Sequence, residues 1–438
     1  MKYVVLGSGI AGMAAANAIR ENDSAAKILM ISAEQELCFN RPMIVDEFAL
    51  DGSGAALFEK EQEWPMQQGV EVCLGSRVEE IDREAKALRL ADGTREYYDK
   101  LIYTLGTKPA VPAIPGIHRE NVFTIRTRED MKQIRAAMRN AKHAVVIGGG
   151  LLGLEEAWAL KKEKLEVAVI EQNQRVAFDQ IDQSAGNLMK KRIERMGVPV
   201  YVDASVKEIG DGYVLFRQKS TGIAEIDDVL ITVSADMVIV STGVTPNSAL
   251  GEAAGLAVTG NDEHWISVDE HCRTSDPDIY AAGDVAAVDG RNEVIWDAAR
   301  ESGRVAGVNA AGGDVVYQPI VAKHVFHGFD TELFTLADSS GAETDGVYMR
   351  HADVELIDYL RERYVRISLQ NGIIAGVLLI NAPELAPELM EAYENRAGED
   401  EARSIIQQWK DKYWLYFESF ESLKIPEISL DDDEKKTA

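Results

Sequence analysis

The chain has 438 residues and a formal net charge of −27 at pH 7, an acidic excess that disfavours nucleic acid and anionic membranes as partners, since both select clustered basic residues. The length predicts two or three domains, and no segment approaches the ~18 consecutive apolar residues of a membrane span. Three scattered cysteines and the absence of a signal-peptide pattern exclude a disulfide framework and predict a cytoplasmic protein.

The first elements form a repeated pattern. The chain begins with a predicted strand over Lys2–Leu6, a helix over Ala11–Arg20 and a strand over Lys27–Ile31. The same order returns as a strand over 144–147, a helix over 152–163 and a strand over 166–170. The turn-rich segment Lys108–Pro112 lies between the two copies and is typical of a domain boundary. We therefore expect two β-α-β units in separate domains.

The later elements change in character. A short strand over Ile279–Asp284 and an Ala- and Gly-rich helix over Ala298–Gly312 come first. Asn371-Gly372 between two apolar runs then predicts a β-hairpin. A charged helical segment follows Pro387, and the tail 431–438 is predicted to be disordered. An apolar stripe at helical spacing in that segment either packs on its own domain or serves oligomerisation or partner docking: Ile406, Trp409, Tyr413, Phe417 and Phe420.

Each β-α-β unit carries a G-x-G-x-x-G loop between its first strand and its helix. The glycines are Gly7, Gly9 and Gly12 in the first loop, and Gly148, Gly150 and Gly153 in the second. Such loops turn tightly and let a pyrophosphate approach the backbone at the start of a helix.

An acid about 20 residues further on would bind a ribose, and it is Glu34 in the first unit and Glu171 in the second. A carboxylate at 171 favours NADH, whereas the nearby Arg175 keeps NADPH as the weaker alternative. The sequence therefore predicts two dinucleotide sites.

These motifs, together with three others in the same order, resemble the pyridine nucleotide–disulfide oxidoreductase superfamily. The others are Leu101–Lys108, Ser241–Asn247 and Thr274–Asp284. The most similar branch contains rubredoxin reductases, ferredoxin reductases and the flavin part of nitrite reductases. The resemblance implies an α/β fold of two Rossmann-like domains followed by a C-terminal α+β domain. Residues 1–110 and 245–315 would bind FAD, residues 111–244 would bind NADH, and residues 316–430 would form an interface or cap.

The resemblance also implies which residues contact each cofactor. Glu36–Pro42 is similar to the rubredoxin reductase pattern L-P-Y-x-R-P, which assigns FAD contacts to Arg41 and Pro42. The full FAD set is Gly7, Gly9, Ile10, Ala11, Gly12, Glu34, Arg41, Pro42, Val78, Thr104, Leu105, Gly106, Lys108, Gly283 and Asp284. The NAD set is Gly148, Gly150, Leu151, Leu152, Gly153, Glu171, Thr242 and Gly243.

The chain departs from the family beside the expected flavin. Relatives pair a Lys with the Glu of the second loop's helix; here Glu155 is present, but Asp46 occupies the Lys position. We take Glu155 and Asp46 as candidate flavin-proximal catalytic residues, and two neighbouring acids would raise the pKa of one of them.

The family's redox-active cysteine patterns are also missing, and Cys38 is interpreted as a packed residue. His324 and His327 have no Cys or third His beside them, so we expect no metal.

The predicted function is therefore a flavoenzyme in which NADH reduces FAD and the electrons pass directly to a small carrier protein such as rubredoxin. One alternative is an NADH oxidase that reduces O₂. An alternative of another class is a FAD-binding scaffold or redox-sensing subunit. Either enzyme or scaffold is compatible with a homo-oligomer.

Overall fold

The computed structural model describes residues 1–37, 40–48, 63–219, 229–260, 264–337, 339, 354–358 and 361–413. The chain divides into two units, Met1–Thr331 and Glu332–Ala438. Cys38, Phe417, Phe420 and the predicted tail lie outside the described residues. The predicted limits of the FAD, NAD and C-terminal domains remain predictions.

The first unit begins with strands and short helices. These elements are β1 (Lys2–Leu6), α1 (Ile10–Asn22), β2 (Lys27–Ile31), a 3-10 helix (Arg41–Phe48), α2 (Trp64–Gln68), β3 (Val70–Cys73), β4 (Val78–Asp82), β5 (Ala87–Leu90), β6 (Arg95–Tyr97), β7 (Lys100–Tyr103), β8 (Thr107–Pro109) and β9 (Val122–Phe123).

The middle of this unit contains α3 (Arg128–Met138), β10 (His143–Ile147), α4 (Leu151–Lys162), β11 (Glu166–Ile170), α5 (Gln183–Arg195), β12 (Val200–Tyr201), β13 (Ala204–Ile209), β14 (Tyr213–Gln218), β15 (Val229–Ser234), β16 (Met237–Val240) and β17 (Val244–Pro246). Its last part contains α6 (Ala249–Ala253), β18 (Ile266–Val268), β19 (Ile279–Ala281), β20 (Ala286–Val288), α7 (Trp296–Ala310) and β21 (Lys323–Gly328).

Two parallel five-stranded sheets organise the first unit. Their strand orders are β19-β7-β1-β2-β3 and β12-β11-β10-β16-β9. The central strands β1 and β10 are apolar and almost wholly buried, as parallel sheets covered on both faces require. The chain leaves the first sheet after β7, builds the second sheet, and returns to the first with β19. The prediction of two Rossmann-like units in an α/β fold is confirmed.

The second unit has its own sheet and core. It contains β22 (Thr331–Ala337), β23 (Val354–Asp358), β24 (Arg363–Gln370), β25 (Ile373–Ile380), a 3-10 helix (Pro383–Leu385), α8 (Ala386–Glu394) and α9 (Glu399–Tyr413). Strands β22, β25, β24 and β23 are antiparallel neighbours in that order.

The predicted hairpin is formed by β24 and β25, with positive φ at Asn371 and Gly372. From the predicted stripe, Ile406 and Trp409 are buried in the core of this unit. This supports packing within the domain for those two residues.

Helices α1 and α7 pack unusually closely because α7 carries glycines at the contact. A Cβ on Gly303 would lie 2.2 Å from the carbonyl oxygen of Ala11, and one on Gly307 would lie 2.3 Å from that of Ala15. No side chain fits at these distances without moving the helix backbones apart. This contact holds the first turns of α1 against the second half of α7.

We expect Gly303→Ala to destabilise the first unit by about 1–3 kcal/mol, the usual cost of overpacking. Alanine is the better helix former by roughly 1 kcal/mol, so any loss must come from the contact with Ala11. Gly260→Ala is the matched control, because its Cβ would meet no atom within 4 Å and its φ is not positive. Urea unfolding of both variants measures the difference; equal stabilities would contradict this account of the helix contact.

Candidate functional site

The first glycine loop joins β1 to α1 by a turn that only glycine allows. Gly7 has φ +106°, and a Cβ there would lie 2.3 Å from the carbonyl oxygen of Thr104 on the neighbouring segment. The residue before α1, Gly9, has no atom within 4 Å of its Cβ position. Helix α1 has no side-chain cap and no acid in its first turn. Its first N–H groups therefore lie open to an anion at the positive end of the helix.

The second loop repeats this geometry between β10 and α4. Gly148 has φ +116°, and its Cβ would lie 2.0 Å from the carbonyl oxygen of Ser241. Gly150 has open space at its Cβ position, and α4 also lacks a side-chain cap and an acidic first turn. Both loops thus leave a backbone cradle that a Cβ would fill. The residues present fit the pyrophosphate of a dinucleotide at each helix.

A cavity opens at the start of each helix. The first measures about 300 Å³ and is lined by nine of the predicted FAD residues: Gly9, Ile10, Ala11, Arg41, Pro42, Thr104, Gly106, Gly283 and Asp284. The second measures about 1040 Å³ and is lined by all eight predicted NAD residues: Gly148, Gly150, Leu151, Leu152, Gly153, Glu171, Thr242 and Gly243. Most of the predicted FAD residues therefore line one cavity, and all of the predicted NAD residues line the other.

The two cavities adjoin, because five residues line both of them. These are Ile125, Arg126, Leu152, Val244 and Val294. Four of the five are apolar, so the shared wall suits flat ring systems from either side. Ligands in the two cavities would meet there.

Six predicted FAD residues lie outside the lining of the first cavity among the described residues. Gly7 and Gly12 form the turn itself, and Leu105 and Lys108 continue the segment after Thr104. Glu34 pairs with Arg41 at 2.5 Å. Val78 lies on β4, where it pairs with Leu90 and packs against the core. Cofactor contacts by these residues remain predictions.

Charged side chains of both signs meet at the first cavity. The Arg41 guanidinium donates to the carbonyl oxygen of Arg126 at 2.6 Å, and Arg126 Nη2 lies 3.6 Å from Asp284 Oδ2. Burial raises the pKa of Asp284, while the nearby guanidinium groups of Arg126 and Arg41 oppose that rise. The pKa of Asp284 is therefore set by two opposing effects, since burial raises it and the two cations lower it.

Sequence reasoning missed Arg126, although this residue lines both cavities. Its pKa is lowered, first by burial and then by Arg41. A local signal was present: Thr127 and Asp130 form a reciprocal capping box at the start of α3. That pattern would have placed Arg126 in the loop just before a helix. Nothing local indicates that this loop faces two cavities.

Glu171 lies at the end of β11, against the second loop. It is buried, with 7% of its surface exposed. Its carboxylate accepts from the backbone N–H of Gly149 at 2.5 Å and of Asn173 at 2.6 Å. The nearby Arg175 does not pair with Glu171; its guanidinium donates to the carbonyl oxygens of Ile181 and Phe178. The carboxylate, and not the guanidinium, is therefore the charged group beside the loop.

Glu155 on α4 and its neighbour Asp46 form an acid pair in which the pKa of Glu155 is raised. The pKa of Glu155 is raised to about 7, chiefly by burial and also by the neighbouring Asp46. This is the direction expected for two neighbouring acids. Asp46 itself is exposed on the 3-10 helix that packs against α4. Neither residue is among those that line the two cavities.

The next residue on α4, Glu156, was not singled out by sequence reasoning. It is 1% exposed, lines the second cavity, and has a pKa raised to about 8, chiefly by burial. The sequence did contain a signal, two adjacent Glu residues within an otherwise apolar stretch of helix. Because Glu is almost never fully buried without a partner, a Glu on the buried face of such a helix indicates a special role.

The described cysteines and histidines show no redox pair or metal cluster. Burial raises the pKa of the Cys272 thiol to about 12, and Cys73 contacts the Ser76 hydroxyl at 3.0 Å. His324 lines the second cavity, and burial lowers its pKa. No group of three or more metal-ligating side chains occurs among the described residues. Over the same residues, no helix is long and apolar enough to cross a membrane.

Two adjoining cavities, each at the start of a Rossmann helix, define a class of protein that brings two dinucleotides together. Consistent with this, the sequence profile described as "Pyridine nucleotide-disulphide oxidoreductase" matches residues 1–314. The chain belongs to this family. Its members use FAD and NADH, so the predicted cofactors agree with the family.

Similar proteins include reductases of several kinds. The NADH-rubredoxin oxidoreductase of Clostridium acetobutylicum is 25% identical over 405 residues, covering 92% of this chain and 97% of that protein. The nitrite reductase (NADH) large subunit of Escherichia coli is 31% identical over 293 residues, covering 66% of this chain but only 34% of that protein. The chain thus spans about a third of that relative's length. Among solved structures, a NAD-dependent persulfide reductase from A. fulgidus matches with a TM-score of 0.78 at 28% identity, covering 91% of this chain and 78% of that one.

We expect Glu155→Gln to change how stability depends on pH. The pKa of Glu155 is about 7 in the folded chain against an ordinary value of 4.5, so its contribution to stability is complete below pH 4.5 and lost as the pH rises through 7. The variant should lose less free energy of unfolding between pH 5 and pH 8, by on the order of 1–2 kcal/mol. Glu120→Gln, at an exposed position in a turn, is the control. Chemical denaturation at pH 5 and pH 8 measures the free energy of unfolding of both variants. An equal change between the two pH values in both variants would contradict the role given to Glu155.

Proposed function

We propose that this protein is an NADH-dependent FAD oxidoreductase, with FAD in the cavity at α1 and NADH in the cavity at α4. The observation that carries the proposal is the wall shared by the two cavities. When bound there, FAD would take a hydride from NADH and pass the electrons to an acceptor. The chain's own work is to hold the two ring systems face to face, within ~3–3.5 Å between reacting atoms. No covalent nucleophile is needed.

The residues around the first cavity suit an anionic, planar cofactor. Open N–H groups at the start of α1 would hold the pyrophosphate, and Arg41 and Arg126 bring positive charge beside it. Asp284, at the end of the strand segment before α7, would accept hydrogen bonds from cofactor hydroxyls. Trp296 and Ile295, at the start of α7, line the same cavity. The start of α7 would therefore face the flavin, and Asp297 in its first turn would offset part of the positive end of the helix dipole.

The residues around the second cavity favour NADH over NADPH. Glu171 would accept from the ribose hydroxyls of the adenosine, and a carboxylate repels a 2′-phosphate. Arg175, the cation that could have bound that phosphate, is buried and stacks on the Phe178 ring at 4.1 Å. This arrangement supports the choice of NADH made from the sequence.

For the acceptor, we propose a small one-electron carrier protein such as rubredoxin. The described cysteines include no pair that could relay electrons, so the flavin would deliver them directly. The net charge of −27 disfavours an acidic carrier unless a local basic patch compensates. Reduction of O₂ is the competing outcome, and a scaffold or sensing role is the outcome of another class. A cytoplasmic location remains a prediction.

Anaerobic stopped-flow mixing of the FAD-loaded protein with NADH tests this function. We expect NADH to bleach the flavin band at about 450 nm, a property of FAD itself. Rubredoxin should then restore the band faster than air does. Restoration by air alone would identify an oxidase. Absence of bleaching by NADH would overturn the enzyme proposal and favour the scaffold or sensor.

A second test addresses which cavity binds which dinucleotide. We expect Glu171→Ala to weaken NADH binding about tenfold or more, because a buried charge-assisted hydrogen bond to the ligand is lost. FAD content should stay unchanged, and the preference for NADH over NADPH should fall. Glu166→Gln, at an exposed position at the start of β11, serves as the control. Loss of FAD from Glu171→Ala would mean that the two cavities have been assigned the wrong way round.

A further inference from the structure

Glu156 is a buried acid with an oxygen that has no protein partner. It lies on α4, one helical turn after Gly153, and only 1% of its surface is exposed. Its Oε2 atom is buried and makes no hydrogen bond. Leaving such a group unsatisfied costs stability, so a ligand or another role must account for it.

The second observation is the place of Glu156 in the wall of the nucleotide cavity. Ser241, which hydrogen-bonds to the Glu156 carboxyl, lines the same cavity, as do Gly148 and Gly153 of the glycine loop. A Cβ on Gly153 would lie 3.4 Å from the Ser241 Cβ, so Gly153 and Ser241 are neighbours in the cavity wall. Glu156 therefore lies in the wall of the cavity beneath the loop, and its Oε2 is a buried polar atom of that wall with no protein partner.

The charge state of Glu156 follows from the same surroundings. Its pKa is raised to about 8: burial is the largest cause, the Ser241 hydroxyl opposes the rise, and the neighbouring Glu155 adds to it. At neutral pH the side chain is mostly a neutral acid. A neutral carboxyl carries an O–H donor, whereas a carboxylate only accepts.

We propose that Glu156 is a positioning residue for the pyridine nucleotide. As a neutral acid it donates a hydrogen bond to an oxygen of the bound nucleotide, and loss of its proton weakens binding. This inference rests on the proposed function, because it takes NADH as the occupant of the second cavity. Ionisation would remove the donor and add a negative charge beneath an anionic ligand, so both effects act in the same direction.

Other ionisable groups face α4 or the same cavity. They are Glu155 on the helix itself, Asp46 and Arg41 on the 3-10 helix, Glu171 directly after β11, His324 on β21, and Arg126 and Asp179 on the cavity wall. The pKa of Glu155 is about 7, and that of His324 is lowered from 6.5. These two groups complete most of their titration below pH 8. A change in affinity above pH 8 is therefore the one that reports on Glu156.

Isothermal titration of the FAD-loaded full chain with NAD⁺ from pH 6 to pH 10 tests the proposal. In the wild type we expect the Kd to rise above about pH 8, by up to about tenfold per pH unit. Glu156→Gln keeps a donor that does not titrate, so its Kd should stay level over this range. Glu166→Gln, whose side chain is 82% exposed at the start of β11, should follow the wild type. A Glu156→Gln profile identical to that of the wild type would overturn the proposal.

Ser241→Ala gives an independent test if Glu156→Gln does not fold. Since the Ser241 hydroxyl lowers the pKa of Glu156, its removal should move the rise in Kd to higher pH. An unmoved rise would contradict the role of Glu156.

Failure of the proposed function looks different. NAD⁺ that binds at no pH overturns the assignment of the cavity, and this inference with it. NAD⁺ that binds equally from pH 8 to pH 10 overturns only the role of Glu156.

Discussion

The open N-termini of two helices are the constraint on which the rest of the structure depends. Each helix starts directly after a buried strand, in a turn where glycine meets a neighbouring carbonyl oxygen at a distance that no Cβ tolerates. Neither α1 nor α4 has a side-chain cap, so their first N–H groups are open to a ligand in the cavity at each helix start. The second sheet is built between two strands of the first, and five residues line both cavities. Any function of this chain must use that juxtaposition.

The charges beside α4 differ from the pattern that the resemblance to the family implied. Asp46 stands where the resemblance to the family implied a Lys, and this correspondence remains a prediction. Helix α4 carries two neighbouring carboxyls, Glu155 and Glu156, whose pKa values are raised to about 7 and about 8. Positive charge comes instead from Arg126 and Arg41, on the side of Asp284. In the proposed enzyme, the nucleotide side of the wall is thus proton-dependent, and the flavin side keeps its cations.

Features encoded by neighbouring residues could be predicted from the sequence. The glycine loops follow from strand, turn and helix signals within 15 residues, and the hairpin at Asn371-Gly372 follows from its turn chemistry. Arg126 could not be placed, because its approach to Asp284 joins segments far apart in the chain.

The burial of Glu156 and the engagement of Arg175 with Phe178 depend in the same way on tertiary packing. The roles of the candidate site residues, and the limits of the domains, remain predictions from resemblance.

A crystal structure of the chain with FAD and NAD⁺ bound tests the central claim most directly. The account predicts one pyrophosphate at the start of α1 and the other at the start of α4, with the flavin and nicotinamide rings meeting between Arg126, Leu152 and Val244. NAD⁺ bound away from α4, or FAD bound at α4, would contradict it.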